Sequence, residues 1–259
     1  MIIRGRSISR GKAEGEVLLL ESDFSFLGGV NPKTGILTNA TTLEGQNIRG
    51  RVFAFNRGKG STVGSYTILQ LKRERNLPAA IINRSAETIV ATGAVMAGIP
   101  MVDSIDISLL KSGDVAKVDG DNGIIELPAV RQSDVVTAVL MHKGRILALK
   151  RSDKVSSCQN MWAGVSGYLE KGEKPLERAI KEVEEETAVK DCTVLHQAPP
   201  LTVRQGDMAW TVHAFLMACP TEKIRIDWEH SEYKWIDPSS VDEHVTVPGF
   251  LRVLRSLGL

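Results

Sequence analysis

The chain has 259 residues, 32 basic against 31 acidic for a net charge of +1, and 42% of it is hydrophobic. That supplies a core for one large domain or two ordinary ones, and the balanced charge, with no basic run, argues against a nucleic-acid binder. Three scattered cysteines, Cys158, Cys192 and Cys219, with no Cys-x-x-Cys pair exclude a disulfide framework, point to a reducing cytoplasm, and leave this chain without the usual ligands for structural zinc or an iron–sulfur cluster. No apolar h-region opens the sequence and no apolar run approaches ~20 residues, so neither a signal peptide nor a membrane span is expected.

In chain order, residues 15–20, 50–56, 79–83, 114–118 and 123–127 read as short strands, interrupted by helical patterns over 65–75 and 86–97. Strands, then alternating helix and strand, then strands again predict a mixed β/α domain. The run 119–123, dense in Asp, Gly and Asn, predicts the turn between the last two strands. Pro128 and the polar stretch around it mark a boundary, placed between residues 1–128 and 129–259. Beyond it, 135–140 and 145–150 flank a hairpin turn at 142–144. A glycine-rich segment, 163–172, then leads into a helix opening at Pro175, where proline suits a first turn. Strands at 202–203, 210–219 and 233–236 and a closing helix over 249–257 complete the second half.

The helix from Pro175 carries the densest chemistry. Leu176, Ala179, Ile180 and Val183 form its buried stripe. Glu182, Glu185 and Glu186 stand at i, i+3 and i+4 and so share a face, and Glu184 extends the run. Like charges so spaced cost a few tenths of a kcal/mol per pair, a penalty that a hard divalent cation removes. Three glutamates alone fit a solvated acidic face as well. The pattern upstream is more specific: Gly167, five residues, Glu173, seven residues, then KEVEEETAV from Lys181 to Val189. This resembles the Nudix box, with Lys181 where the family has arginine and Ala188 where it has glycine.

The resemblance implies hydrolysis of an X-linked diphosphate with magnesium or manganese. Glu185 and Glu186 would hold the metal, Glu182 would be a ligand or the base for water, the Gly167 carbonyl would add a ligand, and Glu173 and Lys181 would support them. A later-loop carboxylate is common in the family, with Glu229 or Glu232 the candidates here. Lysine lacks the planar fork of arginine, and alanine is a mild change if the backbone at 188 avoids positive φ. Arg151, Gln159, Trp162 and Arg204 are candidates for the pocket that receives X, with Trp162 equally a core residue.

In the first half, RGKGSTVGS from Arg57 to Ser65 follows an apolar strand and precedes a helix. Glycines allow close backbone approach, and N–H groups at a helix start favour an anion. Arg57, Lys59, Gly60 and Ser65 are the candidate binding residues. A plain strand–helix turn fits the same run. It is not a Walker A loop, because the terminal Gly-Lys-Ser/Thr is missing.

Together with FLGGVNPKTG from Phe26, LPAAII from Leu77 and ATGAVMAGIPM from Ala91, this turn makes residues 1–128 similar to the small subunit of the aconitase X group, archaeal phosphomevalonate dehydratases in particular. The resemblance implies dehydration of 5-phosphomevalonate in a modified mevalonate pathway, with Ser61 as the proton-abstracting base and an iron–sulfur cluster carried by a separate large subunit. The expected fold is α/β in two domains: a swivelling β/β/α domain of aconitase-like type, then a Nudix α/β/α sandwich. Two other readings stay open. Only the second half is catalytic, as a nucleoside-diphosphate-X pyrophosphatase beside a binding or assembly module, or the Nudix domain is a degenerate sensor.

Overall fold

The computed structural model of the protein describes residues 1–39 and 41–259, without the side chain of Thr41. It is α/β in both halves and divides into two units, Met1–Arg131 and Gln132–Leu259. The division falls inside the stretch where the composition turns polar, three residues beyond the boundary expected at 128.

The first unit is built on an eight-stranded sheet. In spatial order its strands are Ile2–Arg4, Ile124–Glu126, Val115–Asp119, Lys12–Leu20, Val52–Arg57, Ala80–Ser85, Met101–Asp103 and Arg6–Ser9. Lys12–Leu20 holds the sheet together: residues 12–16 pair antiparallel with Val115–Asp119, and residues 17–20 pair parallel with Val52–Arg57. Val52, Phe53, Ala54 and Phe55 are all fully buried, as expected of a central parallel strand covered on both faces. Phe24 meets Phe26 and Phe53 edge-on at 5.1 and 5.0 Å, within the favoured range for aromatic pairs. Helices Val63–Arg73 and Thr88–Ala97 pack on one another. They begin close to the expected starts at 65 and 86.

Sequence pattern alone did not show the strands Ile2–Arg4, Arg6–Ser9 and Met101–Asp103. Each has three or four residues, too few for a period to emerge. The two N-terminal ones are the opposite end strands of the sheet order, joined only through Gly5. Long-range pairing holds them instead. Arg6 grips the buried Asp103 with Nε at 2.9 Å and Nη2 at 2.7 Å, and Asp103 also accepts the Ala86 N–H at 2.9 Å. Burial pushes the Asp103 carboxyl up, but the Arg6 and Ala86 hydrogen bonds outweigh it and hold the group below its ordinary value.

In the second unit Arg131–His142 is the central strand. It pairs with Arg145–Arg151 across the expected hairpin and with Val165–Tyr168. Arg145–Arg151 pairs in turn with His230–Ile236, and Met208–Ala218 carries the outer strands Thr193–Gln197 and Leu201–Gln205. Thr193–Gln197 is exposed throughout, so no alternation announced it. Side chains of Arg131–His142 alternate between two cores. Val136, Ala138 and Leu140 pack with Ala179 and Val183 of the helix Pro175–Thr187. Val139 and, at the margin, Val135 and Met141 pack with Phe250, Val253 and Leu254 of the closing helix Phe250–Ser256. Trp162 is 7% exposed and lies in that second core. No helix among the described residues is long and apolar enough to cross a membrane.

Candidate functional site

The helix Pro175–Thr187 starts with proline in its first turn. Its apolar stripe is narrower than the sequence pattern implies: Ala179 and Val183 are buried, whereas Leu176 is 36% and Ile180 46% exposed. Between the buried residues the helix turns Glu182 and Glu186 inward, at 6% and 4% exposure, while Glu185 stays at the surface. The strand Val165–Tyr168 lies against this face. A Cβ placed on Gly167 would fall on the Glu182 carboxylate, so the box needs glycine there for the carboxylate to lie flat on the backbone. One residue earlier, the Ser166 N–H donates to Glu186 Oε1 at 3.2 Å.

Two buried polar atoms of the cluster, Glu186 Oε2 and Arg178 Nε, have no hydrogen-bond partner. Burial raises the Glu186 carboxyl well above its ordinary value. The charges of Glu182, Asp227 and Glu229 push the same way, against the Ser166 N–H. Glu182 is also raised, by burial first and by Glu185 and Glu229, with Arg178 pulling it down. Nearby, His230 is buried between two carboxylates, its Nδ1 3.0 Å from Asp227 Oδ1 and its Nε2 3.6 Å from Glu186 Oε2. Asp227 can only accept, so Nδ1 carries the proton. Burial is the first cause of the lowered His230 pKa.

An all-carboxylate set with an unpaired buried oxygen fits a hard divalent cation such as magnesium. Among the described residues, however, no three His, Cys, Asp or Glu side chains close on a common point as a finished cage. Two cations account for this. Arg178 is ion-paired with Glu182 one turn along the helix, and Lys181 stands 3.6 Å from Glu185.

The predicted site residues fall into three groups. Glu182, Glu185, Glu229 and Gly167 line one cleft with Arg178, and Glu186 is buried one turn along the helix from Glu182. Glu173 stands outside the cluster; its Oε2 accepts the Glu170 N–H at 2.9 Å and closes the turn before the helix. Glu232 is not brought in either. It faces Lys150 at 3.7 Å and Lys234 at 3.3 Å. Of the pocket candidates, Arg151 lines the cleft, Gln159 braces its rim through Asp153 and Val155 carbonyls, and Arg204 donates to the Gly206 carbonyl.

The condition under which alanine at 188 would be a mild change is not met. Ala188 caps the helix at φ 56°, in the left-handed region, which is why the family pattern has glycine there. Arg178, Ser166 and His230 were overlooked in the sequence. Arg178 was legible four residues before Glu182, at i,i+4 spacing. His230 lay between the two glutamates weighed as later ligands. Ser166 contributes a backbone N–H, and no residue type signals that.

In the first unit, the strand Val52–Arg57 runs into the glycine turn, which is pinned by the Lys59 N–H to the Phe24 carbonyl at 2.9 Å. Gly60 has φ 108°, and a Cβ there would meet Ser25 Oγ at 2.8 Å. Ser61 is exposed, and its Oγ accepts the Val63 N–H at 3.3 Å as the helix begins. Arg57 and Lys59 are exposed beside it. Ser65 uses its hydroxyl locally, donating to the Thr62 carbonyl at 2.8 Å. An exposed hydroxyl at a helix start, on a turn that also carries two exposed cations, can receive an anion.

Comparison with known proteins divides the chain at the same place. The family model described as the aconitase X swivel domain matches residues 2–127, and the NUDIX domain model matches residues 130–255. The phosphomevalonate dehydratase small subunit of Thermococcus onnurineus is 57% identical over 128 residues, 49% of this chain and 98% of the relative. The crystal structure of Thermococcus kodakaraensis aconitase X in its holo form is 53% identical, covering 49% of this chain and 98% of that one, with a TM-score of 0.48. The MutT protein from Methanosarcina mazei is similar to the second half at 21% identity, covering 50% of this chain and 94% of that one, with a TM-score of 0.40.

Proposed function

Since residues 2–127 belong to the aconitase X swivel-domain family and residues 130–255 form a Nudix domain, we propose that this fusion serves two reactions: hydrolysis of an X-linked diphosphate in the second half, and dehydration of phosphomevalonate by the first half with a separate large subunit. The observation that carries the hydrolase reading is the pair of buried carboxylates on one helix face, Glu182 pressed against Gly167 and Glu186 held by the Ser166 N–H with its Oε2 unpaired.

Glu186, Glu185, Glu182 and Glu229, with the Gly167 carbonyl, would hold a magnesium or manganese ion. When bound, that ion supplies charge neutralisation at the diphosphate and lowers the pKa of water. Glu182, lying against the Gly167 backbone beside Glu185, would serve as a ligand or as the acceptor for the proton of the attacking water. Arg178 holds Glu182 in place, the task the family pattern gives to the arginine that Lys181 replaces. Arg151 and Lys154, which line the same cleft, would receive phosphate oxygens.

A degenerate sensor is disfavoured, because the inward carboxylates and Gly167 are all present and the lost arginine has a substitute four residues from Glu182. Purified chain with magnesium, offered a panel of diphosphates, should release phosphate or a monophosphate, and Glu185→Gln should abolish turnover. Unchanged turnover in that variant would remove the metal assignment.

For the first half, the relatives' designation as small subunits supports a large-subunit partner, which would carry the iron–sulfur cluster. Ser61 is exposed at the helix start, on the same turn as Lys59 and Arg57, which supports a role on a ligand presented by that partner. N–H donors and cations lower the energy of an alkoxide, which a serine base requires. Reconstituted complex should lose phosphomevalonate dehydration with Ser61→Ala. Equal rates would show that another group takes the proton.

A further inference from the structure

The cleft that holds the carboxylates has a second end with different chemistry. Its volume is about 640 Å³, within the usual range for small-molecule sites, about 300–1,000 Å³. At one end stand the acidic residues, Arg178, Arg151 and Lys154. The other is walled by Val203, Trp210, Val212, Val247, Phe250 and Val253. Val203 and Trp210 face each other across the ladder between Leu201–Gln205 and Met208–Ala218. Phe250 and Val253 come from one face of the closing helix, and both are 3% exposed. Gly249, at φ 85°, brings that helix start so close that a Cβ would meet Val203 Cγ2 at 2.5 Å.

We infer that the group carried by the diphosphate is a hydrocarbon chain, so that the substrate is an alkyl or alkenyl diphosphate rather than a nucleotide. This rests on the hydrolase reading above and names its substrate class. A nucleobase presents several donors and acceptors, and each one buried without a partner weakens binding roughly five- to 150-fold. The apolar end offers few partners. The Thr137 hydroxyl is shared with Ser166 Oγ at 3.0 Å, and the charged lining residues belong to the carboxylate end. Gln205 is exposed at the rim. A chain of methylenes asks for no partners and gains about fourfold in affinity per CH₂ buried, from ~0.8 kcal/mol each.

In the reaction, the water oxygen forms a bond to phosphorus and the bridging P–O bond breaks, its electron pair leaving with the departing phosphate. The proton of water passes to Glu182 and then to solvent. Attack at either phosphorus gives the same products, orthophosphate and a hydrocarbon monophosphate.

The test compares kcat/KM of the full chain with magnesium on isopentenyl and geranyl diphosphates against ADP and ADP-ribose. In parallel, calorimetric titration without metal compares binding of geranyl monophosphate with AMP. The expected result is at least a tenfold preference for the hydrocarbon compounds in both. Val247→Asn should raise KM for geranyl diphosphate at least tenfold with kcat little changed and melting preserved. A tenfold preference for nucleotides, or none, overturns the inference and leaves the hydrolase reading standing. If neither class is hydrolysed, the hydrolase reading fails, and the metal-free titration alone decides the pocket: tighter AMP overturns the inference, tighter geranyl monophosphate supports it.

Discussion

Replacing Glu186 with glutamine should make the metal-free second unit more stable at pH 8. Glu186 is 4% exposed and one of its oxygens has no partner. Its carboxyl is raised well above the ordinary 4.5, chiefly by burial. A carboxyl raised on folding contributes stability that is fully present below the unfolded pKa and is lost as pH rises through the folded value. Without metal, the second unit therefore weakens as pH rises above the ordinary carboxylate range. Glutamine keeps the shape and the Ser166 hydrogen bond and removes the charge, and its NH₂ can donate towards His230 Nε2, whose proton sits on the other nitrogen. Relief of one unsatisfied buried group is worth about 1–3 kcal/mol, roughly 3–10 °C for a unit of this size.

Calorimetry of the full chain in EDTA, at pH 5 and pH 8, measures the effect. Magnesium at a hundred times its Kd should then stabilise the unaltered chain by about 2.7 kcal/mol and the Glu186→Gln variant far less. A variant that melts at the same or a lower temperature in EDTA at pH 8 would show that Glu186 is not held as an uncompensated carboxyl.

Three further outcomes follow from particular contacts. Gly167→Ala should expel the Glu182 carboxylate from its seat, destabilising by about 1–3 kcal/mol and cutting turnover at least a hundredfold; turnover near that of the parent would mean that Glu182 acts from elsewhere. Ala188→Gly should raise the second unit's stability by about 1 kcal/mol, since the residue sits at positive φ, and urea titration reading no change would place the strain elsewhere. Asp103→Asn should destabilise the first unit by about 1.5–3 kcal/mol at pH 7 through the Arg6 pair. Because Asp103 is held below its ordinary value, that contribution is present above pH ~4 and lost as pH falls further, so parent and variant melting curves should converge in acid; a constant gap would count against the ion pair.

The central strands, all of the longer helices except the exact starts, and the carboxylate face were legible because each rests on a repeat or a fixed spacing several residues long. Glu182, Glu185 and Glu186 share a face by helix geometry, and Gly167 by its fixed distance from them. Distant pairing was not legible: Arg6–Ser9 is a strand because Met101–Asp103 lies alongside, and Asp103 holds Arg6 from 97 positions away. The same limit explains the later carboxylate. Glu229 and Glu232 look alike in the sequence, and only the pairing of Lys150 with Glu232 across the ladder separates them. Ala188 shows a third limit, since a residue type does not report its own φ.

The joining of Ile2–Arg4 and Arg6–Ser9 through Gly5 has a consequence during synthesis on the ribosome. The earliest strand can pair only when Ile124–Glu126 emerges, and its neighbour only after Met101–Asp103. One flank of the first half therefore stays open until Met101–Asp103 is made, and the other until Ile124–Glu126, near the end of the unit. A pause near the junction, before the second half is translated, would favour orderly assembly, and a truncation short of residue 124 would leave a partner strand exposed for another chain to claim.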